Sequence, residues 1–238
     1  MKPRLLTARG FTLVEMLVGL ALLAVLALVS WRGVDALMAT ESRSRERTDA
    51  VARLQTSLAQ WRTDLDAAVP TGVVSVLAFD GRVLRLTRSD AGSQPGTVRV
   101  VGWARRVGTT GNTGQWQRWQ SAPLATQQAV RQAWDDAARW ASVGNAGSAA
   151  QEGLAVTLAP LANWQLYYFR NNSWSNPLSS EGAGGEGAGT GGQTTGQENA
   201  LETLPDAVRL VLDLPPGPGL TGRLSVEWLR PTYSRARS

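Results

Sequence analysis

Two residue types that carry much of protein chemistry, cysteine and histidine, are missing from this chain of 238 residues. Their absence excludes Cys/His zinc sites, Ser–His–Asp triads and Cys–His dyads. It also excludes disulfides, so no covalent bond indicates the redox compartment. Carboxylates remain available for catalysis or for an oxygen-ligand metal site. No motif indicates a bound small molecule, and we expect no cofactor.

Long runs of one charge sign are also missing. The net charge is +5, and three of these charges belong to Lys2, Arg4 and Arg9 at the start of the chain. Farther along, basic residues are mixed with acids, as in residues 41–47. No basic stripe remains that could neutralise a row of phosphates, so we expect no nucleic-acid partner.

One long apolar run is present, and it lies near the N-terminus. Residues 11–31 read FTLVEMLVGLALLAVLALVSW, in which Glu15 is the only charged residue. A helix needs about 20 apolar residues to cross the hydrocarbon core of a bilayer. The three basic residues of the leader precede the run, whereas Arg32 stands alone after it, close to Asp35. The positive-inside rule therefore predicts residues 1–10 in the cytoplasm and everything after Trp31 outside. The sequence therefore predicts a membrane protein with a single spanning helix.

The residues around the start of this run differ from a conventional secretory signal, which places small residues after its apolar region. Here no such site follows Val29, and the small residue Gly10 stands before the run. Glycine suits a cleavage site because its backbone is free and carries no side chain. Glu15 is costly inside a membrane and such residues usually have a partner. The amine of Phe11 in a neighbouring subunit is one possible partner; a position at the membrane interface without a partner is the alternative.

These residues carry a family resemblance. The segment Gly10-Phe11-Thr12-Leu13-Val14-Glu15, after a short basic leader and before an apolar helix, resembles the cleavage and methylation motif of type IV pilins and type II secretion pseudopilins. The resemblance implies that a prepilin peptidase cuts after Gly10 and methylates the new amine of Phe11. It also implies that Glu15 sets the register between subunits during assembly.

The helix is predicted to continue beyond the membrane. Apolar residues recur at spacings of three and four, which marks one face of a helix: Val51, Leu54, Leu58, Trp61 and Leu65. Pro70 and Gly72 predict its end, because proline cannot continue the hydrogen-bond ladder. The predicted helix therefore covers residues 12–68, and its apolar stripe is expected to pack under a globular domain.

Beyond Pro70 the pattern predicts strands, with Asp80-Gly81 as a hairpin turn and one short helix over residues 126–141. The expected fold class is α+β, a long N-terminal helix packed on antiparallel β-sheets. The predicted strands are 74–78, 83–86, 98–107, 115–120, 154–158, 164–170, 207–214 and 224–229.

Residues 179–199 are rich in glycine and predict a mobile loop. Their GAGGEG sequence at 182–187 fits a dinucleotide-binding pattern, but no predicted strand leads into it and no helix follows. Asn171-Asn172-Ser173 predicts a turn. Most of the ten tryptophans are expected in the core. The alternative for Trp116 or Trp174 is a role as a contact residue on a loop.

Segments near both ends of the chain narrow the resemblance to the minor pseudopilin J family of type II secretion systems. They are residues 31–37, 61–70, 164–170, 172–178 and 204–210. Residues 126–141 and 179–199 depart from that family's pattern. The domains implied are a cleaved leader (1–10), a transmembrane helix (11–31), a periplasmic continuation of the helix (32–69) and a β-rich periplasmic domain (70–238).

The resemblance also implies partners: minor pseudopilins I, K and H, the major pseudopilin and the prepilin peptidase. With pseudopilins I, K and H the chain would form the tip complex that starts assembly of the periplasmic pseudopilus, which exports folded proteins across the outer membrane. A minor pilin of a type IV pilus is the alternative. The resemblance implies no enzymatic activity. Asp135-Asp136 is the one adjacent acidic pair, and neighbours in a helix do not face one another.

Overall fold

A computed structural model describes residues 11–90, 92, 96–107, 114–142, 155–178 and 204–231. The predicted leader (1–10) and the predicted Gly-rich loop (179–199) lie outside these residues. Helix α1 spans Leu13–Asp66, which confirms the prediction of one helix over 12–68 to within two residues at each end. The helix assignment continues through Gly33. By its contacts the chain divides into two compact units, with the boundary between Thr48 and Asp49.

The second unit contains two antiparallel sheets. The first is a meander in the order β1-β2-β3-β4-β5. Asp80-Gly81 lies between β1 and β2, as predicted, and Gly81 has a φ of 88° that favours glycine. The Asp80 carboxylate accepts hydrogen bonds from the backbone N–H groups of Arg82 and Val83 and so fixes the turn. The strands are β1 (Leu77–Phe79), β2 (Val83–Ser89), β3 (Val98–Val107), β4 (Gly114–Gln120) and β5 (Ala155–Pro160).

Helix α2 (Gln127–Ser142) covers one face of this first sheet and confirms the helix predicted at 126–141. Its apolar side packs on β2 and β3 in a separate core cluster that includes Val130, Trp134 and Trp140. The approach is close at Gly102, where an added Cβ would lie 3.4 Å from the Trp140 ring. The first sheet is therefore buried on both faces.

The second sheet has the order β7-β6-β8-β9. Asn171 and Asn172 have φ values of 50° and 62°, and the predicted turn is confirmed between β6 and β7. The sequence did not predict the strand that follows this turn. The chain continues from the turn into a short strand, and its polar residues had given no strand pattern. The strands are β6 (Asn163–Arg170), β7 (Ser173–Ser175), β8 (Ala207–Leu214) and β9 (Gly222–Leu229).

The main core lies between the two sheets and the last turns of α1. Eight of the ten tryptophans are buried, as predicted for most of them: Trp61, Trp103, Trp116, Trp119, Trp134, Trp140, Trp164 and Trp228. The alternative of a loop contact is wrong for Trp116, because it lies in β4 with no exposed surface and packs 4.7 Å from the Trp103 ring. Trp174 is likewise in strand β7 and not in a loop; its ring contacts Phe169 and the Arg209 guanidinium.

Candidate functional site

The first part of α1 exposes its apolar side chains on every side. Leu22, Leu23 and Leu26 are each more than 60% exposed, and Trp31 is 68% exposed. Among the described residues, α1 is the one helix long and apolar enough to cross a membrane, and none of its apolar window is buried. A helix that is apolar all round needs lipid or other protein around it. The apolar helix therefore indicates membrane anchoring through the N-terminal segment.

The start of α1 is closed by a reciprocal cap. The Thr12 hydroxyl accepts a hydrogen bond from the Glu15 backbone N–H at 3.3 Å. In return, the Glu15 Oε2 accepts bonds from the backbone N–H and the hydroxyl of Thr12, each at 3.0 Å. This is a capping box, which satisfies backbone donors that the first helical turn leaves free.

Of the three residues predicted to act in processing and assembly, the structure describes two. Gly10 lies outside the described residues. Phe11 is the first described residue and is 83% exposed. Glu15 lies in the first turn of α1, and among the described residues its Oε1 has no hydrogen-bond partner. One carboxylate oxygen thus holds the cap while the other stays available to a donor from another molecule.

Past the apolar segment, α1 becomes polar and its charges pair along the helix. Arg45 forms a salt bridge with Glu41 one turn earlier, and the Ser42 hydroxyl donates to Glu46 at 3.4 Å. Both groups of the salt bridge are exposed, so the pair contributes little to stability. The mixed signs in this stretch suit a water-exposed segment of helix.

The last turns of α1 carry a buried carboxylate that the sequence analysis missed. Asp64 has no exposed surface. Arg118 donates two hydrogen bonds to it, from Nε to Oδ2 at 2.7 Å and from Nη2 to Oδ1 at 2.9 Å. Arg88 also donates to Oδ1, as does Gln60 at 3.1 Å, and the Trp103 indole N–H donates to Oδ2 at 3.0 Å. One helix side chain thereby joins strands β2, β3 and β4.

Burial makes this cluster costly to break. The side chains of Arg88 and Arg118 are only 18% and 12% exposed. Removing one member of a buried ion pair leaves an uncompensated charge away from water, which costs about 3–5 kcal/mol. The cluster therefore fixes the rotation of the last turns of α1 relative to the first sheet.

The end of α1 is also tied to the sheets. The Val69 N–H donates to the Thr87 carbonyl at 3.0 Å, and the Ser89 N–H donates to the Ala67 carbonyl at 2.9 Å. On the other sheet, the indole N–H of Trp228 donates to Asp66 at 2.7 Å. The last turn of the helix is thus bonded to one strand from each sheet.

Two signals in the sequence could have revealed these features. Thr12 and Glu15 have the spacing of a capping box directly before an apolar run. Asp64 follows Trp61 by three residues, so it shares the apolar face of the helix. A charge on such a face indicates a buried partner. Its two arginine partners, however, lie 24 and 54 residues farther along the chain, where sequence spacing gives no information.

The adjacent acids Asp135 and Asp136 have different surroundings. Asp135 is exposed on α2, and Asp136 forms a salt bridge with Arg139 on the same helix. Nothing in this arrangement places the two carboxylates on either side of a substrate.

The N-terminal segment resembles a known family. Residues 6–31 match the family model described as the prokaryotic N-terminal methylation motif. No curated protein matches the chain. The matched segment contains the Gly10–Phe11 junction, Glu15 and the apolar run. It supports a pilin-like protein that is processed by a prepilin peptidase and anchored by a single N-terminal helix.

Proposed function

We propose that this chain is a minor pseudopilin of a type II secretion system, of the J type. The observation that carries the proposal is the prepilin-type motif over residues 6–31, which includes an apolar helix segment that the described residues leave exposed. Such a helix suits two successive environments, first the lipid bilayer and then the interior of a filament. The function is structural, with no reaction catalysed by this protein.

Processing creates the assembly site. The peptidase cuts between Gly10 and Phe11 and methylates the new amine of Phe11. The methylated amine keeps its positive charge and can pair with Glu15 of a neighbouring subunit. Because Thr12 occupies Oε2 of Glu15, the pairing uses Oε1. A charge pair in the apolar filament core is strong and specific for one register.

The proposed domains follow from this assembly. Residues 1–10 are the cleaved leader, residues 11–31 cross the inner membrane, residues 32–69 continue the helix in the periplasm, and residues 70–238 form the periplasmic domain. The proposed partners are the minor pseudopilins I, K and H and the major pseudopilin. Together they begin the pseudopilus and help export folded proteins across the outer membrane.

A minor pilin of a type IV pilus is the second candidate, since the methylation motif is common to both classes. The absence of cysteine favours the pseudopilus, because a C-terminal disulfide loop, frequent in minor pilins, is impossible here.

The deciding experiment deletes the gene in its own bacterium and restores it with the wild-type chain, with Glu15→Ala or with Glu41→Ala. Culture supernatants are assayed for secreted proteins and cell surfaces for pili. We expect the deletion and Glu15→Ala to abolish secretion and leave pili intact. Glu41→Ala changes an exposed acid on the same helix and is the matched control; we expect it to restore secretion.

Loss of pili with normal secretion would assign the chain to the type IV pilus instead. Normal secretion and normal pili in the deletion strain would refute both functions. Full activity of Glu15→Ala would refute the role of Glu15 while leaving the class of protein standing.

A further inference from the structure

Strand β9 ends the second sheet with an open edge. The sheet order places β8 on one side of β9, and no strand of the described residues pairs with its other side. The other sheet ends are better protected. Strands β1 and β7 have three residues each, and β5 ends at Pro160, which has no N–H to donate. Strand β9 has eight residues and no proline.

The register with β8 identifies which groups of β9 face outward. The Arg230 N–H donates to the Asp206 carbonyl at 2.9 Å, so Arg230 and Asp206 form a hydrogen-bonded pair of the ladder. This pair continues the register in which Trp228 lies opposite Val208. Hydrogen-bonded and non-hydrogen-bonded pairs alternate along an antiparallel ladder. The backbone groups of every second residue therefore point away from β8: Arg223, Ser225, Glu227 and Leu229.

The side chains of these same four residues lie on the exposed face of the sheet. Two of them are held in place by β8. Arg223 bonds Asp213 at 2.9 Å, and Glu227 bonds Arg209 at 2.8 Å. The hydrogen bond from Arg223 to Asp213 raises the pKa of Arg223, so its positive charge is secure. On the opposite face, Leu224, Val226 and Trp228 point into the core.

The geometry points to a second copy of this chain as the partner of the β9 edge, paired antiparallel to it about Ser225. In that register Arg223 of each copy lies opposite Glu227 of the other, and Ser225 faces Ser225. On the exposed face the charges then alternate in sign across four strands. Asp213 and Arg223 come from one copy, followed by Glu227 and Arg209 of the other. Opposite charges placed directly across two strands stabilise their pairing.

The core side of the strand fits the same register. Leu224 lies opposite Val226 of the other copy, so branched apolar residues meet. Trp228 lies opposite Gly222, which leaves room for the indole. A shift to pairing about Arg223 or about Glu227 would set like charges against each other. If the pairing were centred on Leu224 or Val226, one residue away, Arg223 would no longer lie opposite Glu227 of the other copy. The pattern of β9 therefore selects one register.

The absence of native cysteine allows a direct test. In a hydrogen-bonded antiparallel pair the Cα atoms are about 5.5 Å apart, so a short bifunctional thiol reagent would join two Ser225→Cys chains. The full-length chain, purified in detergent, is treated with this reagent and analysed by denaturing electrophoresis. Ser173→Cys is the control, because Ser173 is an exposed serine on another edge strand, β7.

We expect most of the Ser225→Cys chain to become a covalent dimer, with several-fold less dimer from Ser173→Cys. Equal yields from the two variants would overturn the proposal, since they would reflect chance encounters within micelles. This result is independent of the proposed secretion role, which does not use β9.

Charge variants test the register. In the Ser225→Cys background, Arg223→Glu alone and Glu227→Arg alone each place like charges across the strands, and we expect each to lower the dimer yield several-fold. Mixing the two variants restores opposite charges at both positions, so the mixed dimer should form preferentially. No recovery on mixing would overturn the pairing about Ser225.

Discussion

The two tryptophans of α1 show how differently the two parts of one helix are used. Trp31 is 68% exposed, whereas Trp61 has no exposed surface and packs between the sheets. Around Trp31 the helix is apolar on all sides. Around Trp61 only a stripe is apolar, and polar residues cover the rest. The second part buries its stripe within its own chain, while the first part depends on surroundings that other molecules supply.

The same contrast holds for charge. Glu15, near the start of α1, bonds Thr12 alone among the residues that the structure describes, and these leave one of its carboxylate oxygens available to another molecule. Asp64, near the end, has both oxygens occupied by side chains of its own domain. A carboxylate that is fully bonded within the chain stabilises the fold. One with a free oxygen in an apolar segment is suited to assembly. Variants of the two parts should therefore separate stability from assembly.

The largest expected difference is between the two tryptophans. Trp61→Ala removes a fully buried side chain and should lower the free energy of unfolding by about 3–5 kcal/mol. Trp31→Ala, its matched control, should leave this free energy within about 0.5 kcal/mol of wild type. Urea unfolding of the full chain in detergent, followed by near-ultraviolet circular dichroism, measures both. An equal loss in both variants would contradict the division of the helix.

A smaller loss is expected at the buried carboxylate. Asp64→Asn keeps the shape of the side chain and removes the charge that holds Arg88 and Arg118. Because both arginines keep some exposure and the amide oxygen still accepts hydrogen bonds, we expect about 3 kcal/mol, the lower end of the cost of breaking a buried ion pair. Asp49→Asn on the exposed side of the same helix is the control and should change little. If both variants unfolded at the same urea concentration, the Asp64 cluster would have no stabilising role.

The smallest expected effect concerns the bond between the end of α1 and the second sheet. Trp228→Phe removes the hydrogen bond to Asp66 and should cost about 1 kcal/mol. Asp66→Ala should cost about the same, and the double variant should cost less than the two losses added together. Strict additivity in this cycle would show that the two side chains are not coupled.

Much of the fold could be predicted because its signals are local. The stripe from Val51 to Leu65, the proline at position 70 and the Asp80-Gly81 turn each act over a few residues, and the structure confirms the helix and the hairpin. The capping box at Thr12 was equally local and was missed. The exposed part of α1 was predictable because its signal is also local. A run of about 20 apolar residues is by itself long enough to cross a bilayer.

The rest depends on contacts between distant segments. Trp116 was misplaced because its burial comes from packing against Trp103, and no spacing within β4 indicates that contact. Strand β7 was missed because Ser173 and Ser175 have little preference for strands and pair only because β6 lies beside them. The division of the strands into two sheets, and the partners of Asp64, are likewise set by tertiary packing.

The central claim is that only the charged leader is removed and that the apolar helix remains. The most direct test is the intact mass of the full protein purified from the membranes of its own bacterium, with sequencing of its first residues. The account predicts a chain that begins at Phe11 and carries one additional methyl group on its amine. A chain that still begins at Met1, or one cut after Trp31, would contradict it.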